Sequence, residues 1–291
     1  MKDIYFLITV DGDMRSGTIT QRDAAIKALL KLFDSEGMAG KVTWFLNEND
    51  FEWTKNHAEA ILSMVERKDA LGIHDHFDTQ NIIDFEEALR FCKKSYSKVM
   101  KFLKDANKDK DYPQGILAHR SGSFYQRAAF YKAKKEMGYR ILQDVFPEKK
   151  SEGRLVLDTS YSLVRTHKGV NDGTILADNT HIPLEVRAWR HDVDNWLDYK
   201  SRTGFFLQIP ATCIMIYLDF ERLRRVYQSH KEGMLTSLLW AFHPYEIHDL
   251  ETGELLLENL EVVQDGIRRI RDEFSPTFIN IYDFAKIMAT S

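Results

Sequence analysis

The chain has 291 residues, 44% of them hydrophobic, and a formal net charge of -4. That is enough apolar material for a sizeable core and excludes a disordered chain, while the mild charge and the lack of a basic stripe interleaved with aromatics exclude a nucleic-acid binder. The only two cysteines, Cys92 and Cys213, exclude a disulfide framework; one falls in the apolar register of a helix and the other in a β-like run, so both read as small buried hydrophobes.

Residues 3–10 form a continuous β-prone run, as expected of a strand buried on both faces. The run is short and meets acidic residues at once, so it reads as a strand and not as a signal peptide. Ile26, Leu29, Leu30 and Phe33 recur at helical spacing, and Gly37 is a stop. Val42–Leu46 is the next strand, Ile61, Met64 and Val65 mark a helix, and a short strand ends in Leu71-Gly72-Ile73-His74. Asp84 caps a long helix with Phe85, Leu89, Cys92, Tyr96, Val99 and Leu103 on one face. Gly115–Ala118 reads as a strand and 126–137 as a helix ended by Gly138. From 140 to 220 the pattern is β-like in pieces: Leu155–Leu157, Ile182–Leu184 and Gly204–Ile209. Leu238–Phe242 is a late strand, Leu256, Leu260, Val263, Ile267 and Ile270 face one side of a last long helix, and Phe278–Ile281 closes the series. Alternating strands and helices predict a parallel sheet with crossover helices, in one domain over 1–291. No stretch reaches the ~20 apolar residues of a membrane span.

Polar clusters recur where strands end, which in parallel α/β folds is where active sites are built. The first strand runs into Asp11-Gly12-Asp13, two carboxylates that can divide the work of holding a cation and taking a proton. The third runs into His74-Asp75-His76-Phe77-Asp78, dense in metal-ligating chemistry. His74 and His76 share a face if that segment stays extended, and His74 and Asp78 if it coils. The fourth runs into His119-Arg120-Ser121-Gly122-Ser123-Phe124, where an arginine can grip a carboxylate. The late strand runs into His243-Pro244-Tyr245-Glu246, where His243 is a candidate general acid. Together these fit one metal-assisted hydrolytic site.

In this order the motifs resemble the polysaccharide-deacetylase family, the carbohydrate esterase 4 or NodB-homology group. Thr9–Asp13 resembles its Asp-x-Asp motif, Val42–Asn47 its Thr-Phe-Phe strand and Leu71–Asp78 its His-x-x-x-His motif. Ala118–Phe124 resembles its arginine motif, Leu157–Ser160 the Asp-Ser-Ser segment, and Phe242–Glu246 its last motif. The resemblance implies a distorted (β/α)7 barrel and one divalent metal ion, zinc first, with cobalt, nickel, iron or manganese as alternatives. It implies Asp11 as general base, Asp13 and His74 as metal ligands, Arg120 orienting Asp11, and His243 protonating the leaving amine. The second histidine of the His-x-x-x-His motif falls on Asp78, so either Asp78 ligates or His76 substitutes. The family's Asp-before-Trp motif matches only loosely, with Asp192 or Asp194 as the residue steadying Arg120 and Trp196 as a wall of the sugar pocket. Tyr245 joins Trp196 in contacting substrate, and the Ser123 region supplies an N–H to the developing oxyanion.

The implied activity is hydrolysis of the acetamide of an N-acetylated sugar. Without a recognisable signal peptide, the expected setting is cytoplasmic, on a nucleotide- or lipid-linked sugar in surface-polysaccharide (O-antigen or capsule) synthesis. The rivals are an amidase acting on a non-sugar or cyclic amide with the same residues, and an inactive sugar-binding protein on the same fold.

Overall fold

The computed structural model describes residues 3–12, 19–46, 55–77, 82, 84–124, 126–148, 179, 182–196, 198–249, 252 and 254–290. In chain order the elements are β1 (Ile4–Asp11), α1 (Ile19–Ser35), β2 (Val42–Leu46), α2 (Lys55–Glu66), β3 (Ala70–Asp75), α3 (Phe85–Asp105), β4 (Ala118–Ser121) and α4 (Ala128–Glu136). Then follow β5 (Ile141–Leu142), β6 (Trp189–His191), β7 (Phe206–Gln208), β8 (Cys213–Ile214), α5 (Phe220–Gln228), β9 (Thr236–Phe242), α6 (Leu257–Phe274), β10 (Thr277–Phe278) and α7 (Ile281–Thr290).

β1, β2, β3 and β9 are the continuous apolar runs of the sequence, and they are buried along almost their whole length. They lie side by side in the order β5-β4-β3-β2-β1-β9, all parallel. One further run, Phe206–Ile214, closes the ring. Its first half is β7, parallel to β5, and its second half is β8, parallel to β9. Backbone hydrogen bonds carry the seam without a break: Leu207 N–H to Arg140 O, Ile209 N–H to Leu142 O, Ala211 N–H to Val145 O and Thr212 N–H to Leu239 O. The result is a distorted barrel of seven strand positions wrapped by helices. β6 adds to the outside of β7 as the antiparallel strand, and β10 pairs the first residues of β1.

Alternation along each strand divides the core in two. Leu7, Phe45, Ala118, Ile141, Leu207, Ile209, Leu239 and Ala241 fill the barrel interior. Phe6, Ile8, Val10, Trp44, Leu71, Ile73, Leu142, Leu238, Trp240 and Phe242 point outward under the helices. α7 stops the lower end. Its Ile281 and Phe284 join the interior cluster, and the Tyr282 hydroxyl donates to Leu71 O at 2.7 Å and accepts from Leu117 N–H at 3.0 Å.

Three expected elements differ. The strand expected at Gly115–Ala118 begins at Ala118, because Gly115 turns the chain at φ +75° against the Tyr96 ring. Ile182-Pro183-Leu184 makes a turn, with Val186 N–H on Pro183 O; Pro183 has no N–H to give a ladder. Phe278–Ile281 is split: pairing stops at Phe278, and Asn280 Oδ1 accepts from the N–H groups of Tyr282 and Asp283 to start α7. Leu155–Leu157 lies outside the described residues. Among the described residues no helix is long and apolar enough to cross a membrane.

Candidate active site

The alternation that puts Leu7 and Ala118 inside also puts the next inward positions, at the strand C-termini, around one point. β1 contributes Asp11, β3 His74, β4 Arg120, the residue after β5 Gln143, and the residue after β9 His243. Asp11 is at the centre and is 1% exposed. Its Oδ1 lies 3.1 Å from Arg120 Nη1, and its Oδ2 lies 3.4 Å from His243 Nε2 and 3.7 Å from His74 Nε2. Burial pushes the Asp11 carboxyl up, but the Arg120 charge, with the His74 ring and the hydrogen bond from His243 beside it, outweighs it and holds it below the ordinary carboxylate value. Asp11 is therefore an ionised carboxylate in a dry place.

Each neighbour is itself held. Arg120 Nη1 also reaches Gln143 Oε1 at 3.4 Å, Thr9 Oγ1 donates to the same Oε1 at 3.2 Å, and the guanidinium lies over the Phe124 ring at 5.0 Å. His243 Nδ1 donates to Glu246 Oε1 at 2.7 Å, which turns Nε2 toward Asp11. Glu246 also accepts from the His243 N–H and, through Oε2, from Ile216 N–H at 2.8 Å. Pro244 opens the 3-10 turn that brings Glu246 back under His243.

His74 Nδ1 faces Arg120 O at 3.2 Å, so that nitrogen carries the proton and Nε2 presents a lone pair. The Nε2 atom of His76 stands 3.1 Å from it. Two imidazole nitrogens aimed at each other at this spacing, beside a carboxylate, fit a shared divalent cation. The extended path thus brings His76 to His74. Gly122 permits this approach, since a Cβ there would lie 2.2 Å from His76 Nδ1. Asp13 and Asp78 lie outside the described residues, as does the Ser123 side chain.

The remaining expected residues fall elsewhere. Asp192 caps the 3-10 turn Val193–Asn195 and pairs with Lys135 of α4 at 2.6 Å, not with Arg120. Asp194 is exposed on that turn, and Trp196 stacks on Tyr131 of α4 at 5.1 Å, on the helix side of the sheet. These three are carried there by β6, the strand added to the outside of the barrel. Tyr245 is fully buried and stacks on His243 at 4.6 Å, behind it. The sequence alone assigns no role to Glu246, Gln143 and Thr9. The spacing of Glu246 three residues after His243, across a proline, was the available signal for the first.

A second polar layer faces outward from the same strand ends. Asp75 accepts from Ser95 Oγ of α3 at 2.6 Å and from His119 Nε2 at 3.0 Å. Cys92 of α3 lies against Asp75, with burial and that carboxylate both pushing its thiol far up. Cys92 is thus buried in the core as its helical register suggests, with its thiol against a carboxylate. Lys134 of α4 pairs with Asp144 at 2.6 Å and reaches Ser121 Oγ at 2.8 Å. Burial holds His119 below the usual histidine value, the Lys134 charge adding to it, so its imidazole is neutral.

No family model and no curated protein matches the sequence. Among solved structures, a presumed polysaccharide deacetylase from Mycobacterium smegmatis superposes with a TM-score of 0.55 at 11% identity, over 99% of this chain and 91% of that one. The fold is that of the polysaccharide deacetylases. The 4-alpha-glucanotransferase from Thermococcus litoralis superposes with a TM-score of 0.59 at 8% identity, over 98% of this chain and 40% of the other. One barrel thus serves different chemistries, and function has to be argued from the residues at the strand ends. Two grooves of about 550 and 640 Å³ flank α7 at the opposite end of the barrel; none of the candidate residues lines them.

Proposed function

We propose that this protein is a metal-dependent N-deacetylase that hydrolyses the acetamide of an N-acetylated sugar. The observation that carries this reading is the convergence on Asp11: Arg120 on one oxygen, His243 on the other, and the facing Nε2 atoms of His74 and His76 alongside. His74 and His76 would hold the cation, with Asp13 as the carboxylate ligand that the sequence places two residues after Asp11. Zinc suits two imidazoles and a carboxylate best. When bound, such a cation polarises an amide carbonyl and makes a water acidic.

The protein's own residues supply the rest. Arg120 fixes the Asp11 carboxylate and keeps it ionised, so Asp11 accepts the proton of the attacking water. Glu246 fixes the His243 tautomer, so a protonated His243 presents Nε2–H to the departing amine. The first product is acetate and the second a free amino sugar. A nucleotide- or lipid-linked sugar in surface-polysaccharide synthesis, handled in the cytoplasm, is the setting we favour.

The test is acetate release from a panel of UDP-N-acetyl sugars, run against cyclic ureides as the alternative amides. Turnover on the sugars that Asp11→Asn abolishes, with bound metal retained, is the expected result. Full turnover in Asp11→Asn removes the base assignment. Turnover on ureides alone moves the protein to the cyclic-amide hydrolases. Metal binding without turnover on either leaves a sugar-binding protein.

A further inference from the structure

A carboxylate, a thiol and an imidazole meet behind the lumen residues. Asp75 at the end of β3, Cys92 in α3 and His119 in β4 each bring one ligand atom within 4.8 Å of the others. All three side chains are fully buried. They lie on the helix side of the sheet, whereas the adjoining His74 and Arg120 point into the barrel. The cluster is therefore separate from the His74–His76 pair, with the backbone of β3 between them.

Among the described residues, Asp75 and Asp144 are partnered differently. Asp144, two strands over, has Lys134 at 2.6 Å. Asp75 instead meets the Ser95 hydroxyl, the His119 ring and the Cys92 thiol, none of them a lysine or arginine. Lys134 is already committed to Asp144 and Ser121. Thiolate, imidazole and carboxylate form a donor set that zinc favours, and the two anions cancel its charge.

We propose that Asp75, Cys92 and His119 form a second, structural zinc site, with the Ser95 hydroxyl or the other Asp75 oxygen in the fourth position. The Cys92 proton passes to solvent as the metal binds, and the metal is taken up as the chain folds. The ligands come from β3, α3 and β4, so the ion bolts α3 across the two strands that carry His74 and Arg120.

The test is a spectrum of the full chain produced in cobalt(II)-supplemented medium and kept reduced. A thiolate-to-cobalt charge-transfer band in the near ultraviolet is expected. The band persists in His74→Ala and Cys213→Ser and is lost in Cys92→Ser, which also binds one equivalent of metal fewer than wild type. Cobalt-loaded wild type without the band overturns the proposal, and that result needs no variant to fold. A band that survives in Cys92→Ser overturns it equally. The band is independent of turnover, so failure of the deacetylase reading and failure of this one give different results.

Discussion

Lys134 and Asp144 are 1% and 0% exposed at the side chain and 2.6 Å apart, which makes their pair a sharp test of the packing between α4 and the strands. Asp144 Oδ1 also accepts from Ser121 N–H at 2.7 Å. Burial alone would push the Asp144 carboxyl up; the Lys134 charge outweighs it and holds it below the ordinary value. Lys134→Met strands that carboxylate in a dry place, a loss of about 3–5 kcal/mol. At about 2–4 °C per kcal/mol for a chain of this size, the melting temperature at neutral pH falls by roughly 6–20 °C. Lys134→Met with Asp144→Asn removes both charges together and should cost only about 1–2 kcal/mol. Scanning calorimetry with urea unfolding reads Lys134→Met, Asp144→Asn and the double variant. The sign with pH is fixed as well. A depressed folded pKa contributes stability above the unfolded value of about 3.9, lost as pH falls through the folded one. The deficit of Lys134→Met should therefore shrink in acid. A double variant as unstable as the two single variants summed would refute the reasoning.

Gly122→Ala places a methyl where the His76 ring stands, and should weaken metal binding about 10–100-fold while leaving the fold intact; metal titration unchanged from wild type would hand the ligand role to Asp78. Glu246→Gln removes the anion that fixes His243, and kcat should fall about 100-fold with KM little changed in steady-state assays. Glu36 ties the end of α1 to α6 through Gln264, Arg268 and Arg271, and these partners overcome burial to hold its carboxyl low. Glu36→Gln should lower the melting temperature at neutral pH by a few degrees, about 1 kcal/mol, and the difference should vanish as pH falls through the depressed value in a pH series of melts.

β1, β2, β3 and β9 were legible because a strand buried on both faces is an unbroken apolar run, and α3 because Leu89, Cys92, Val99 and Leu103 mark one face of it. β5 and β8 are two residues long, too short to leave a period. α7 hides because Phe278–Ile281 reads as a strand until the Asn280 cap is noticed. The inward set Asp11, His74, Arg120 and His243 could be found because each follows an apolar run. Asp192 and Trp196 sit near similar letters, but β6 is outside the ring, which only pairing partners distant in sequence decide. Cys92 looked apolar because its helical face is buried; what it is buried against comes from β3 and β4, and one-dimensional periodicity carries no trace of that.

The plug formed by Ile281 and Phe284 makes the barrel blind at one end. If the proposed deacetylation is the reaction, a small product released at Asp11 finds that lower end stopped among the described residues, so acetate and the trimmed sugar would share one mouth, and the order in which they leave would follow from their size and depth. The bulky product nearer solvent has to go before, or make room for, the small one beneath it. Acetate should then behave as an inhibitor that binds the empty barrel first, competing with substrate from below.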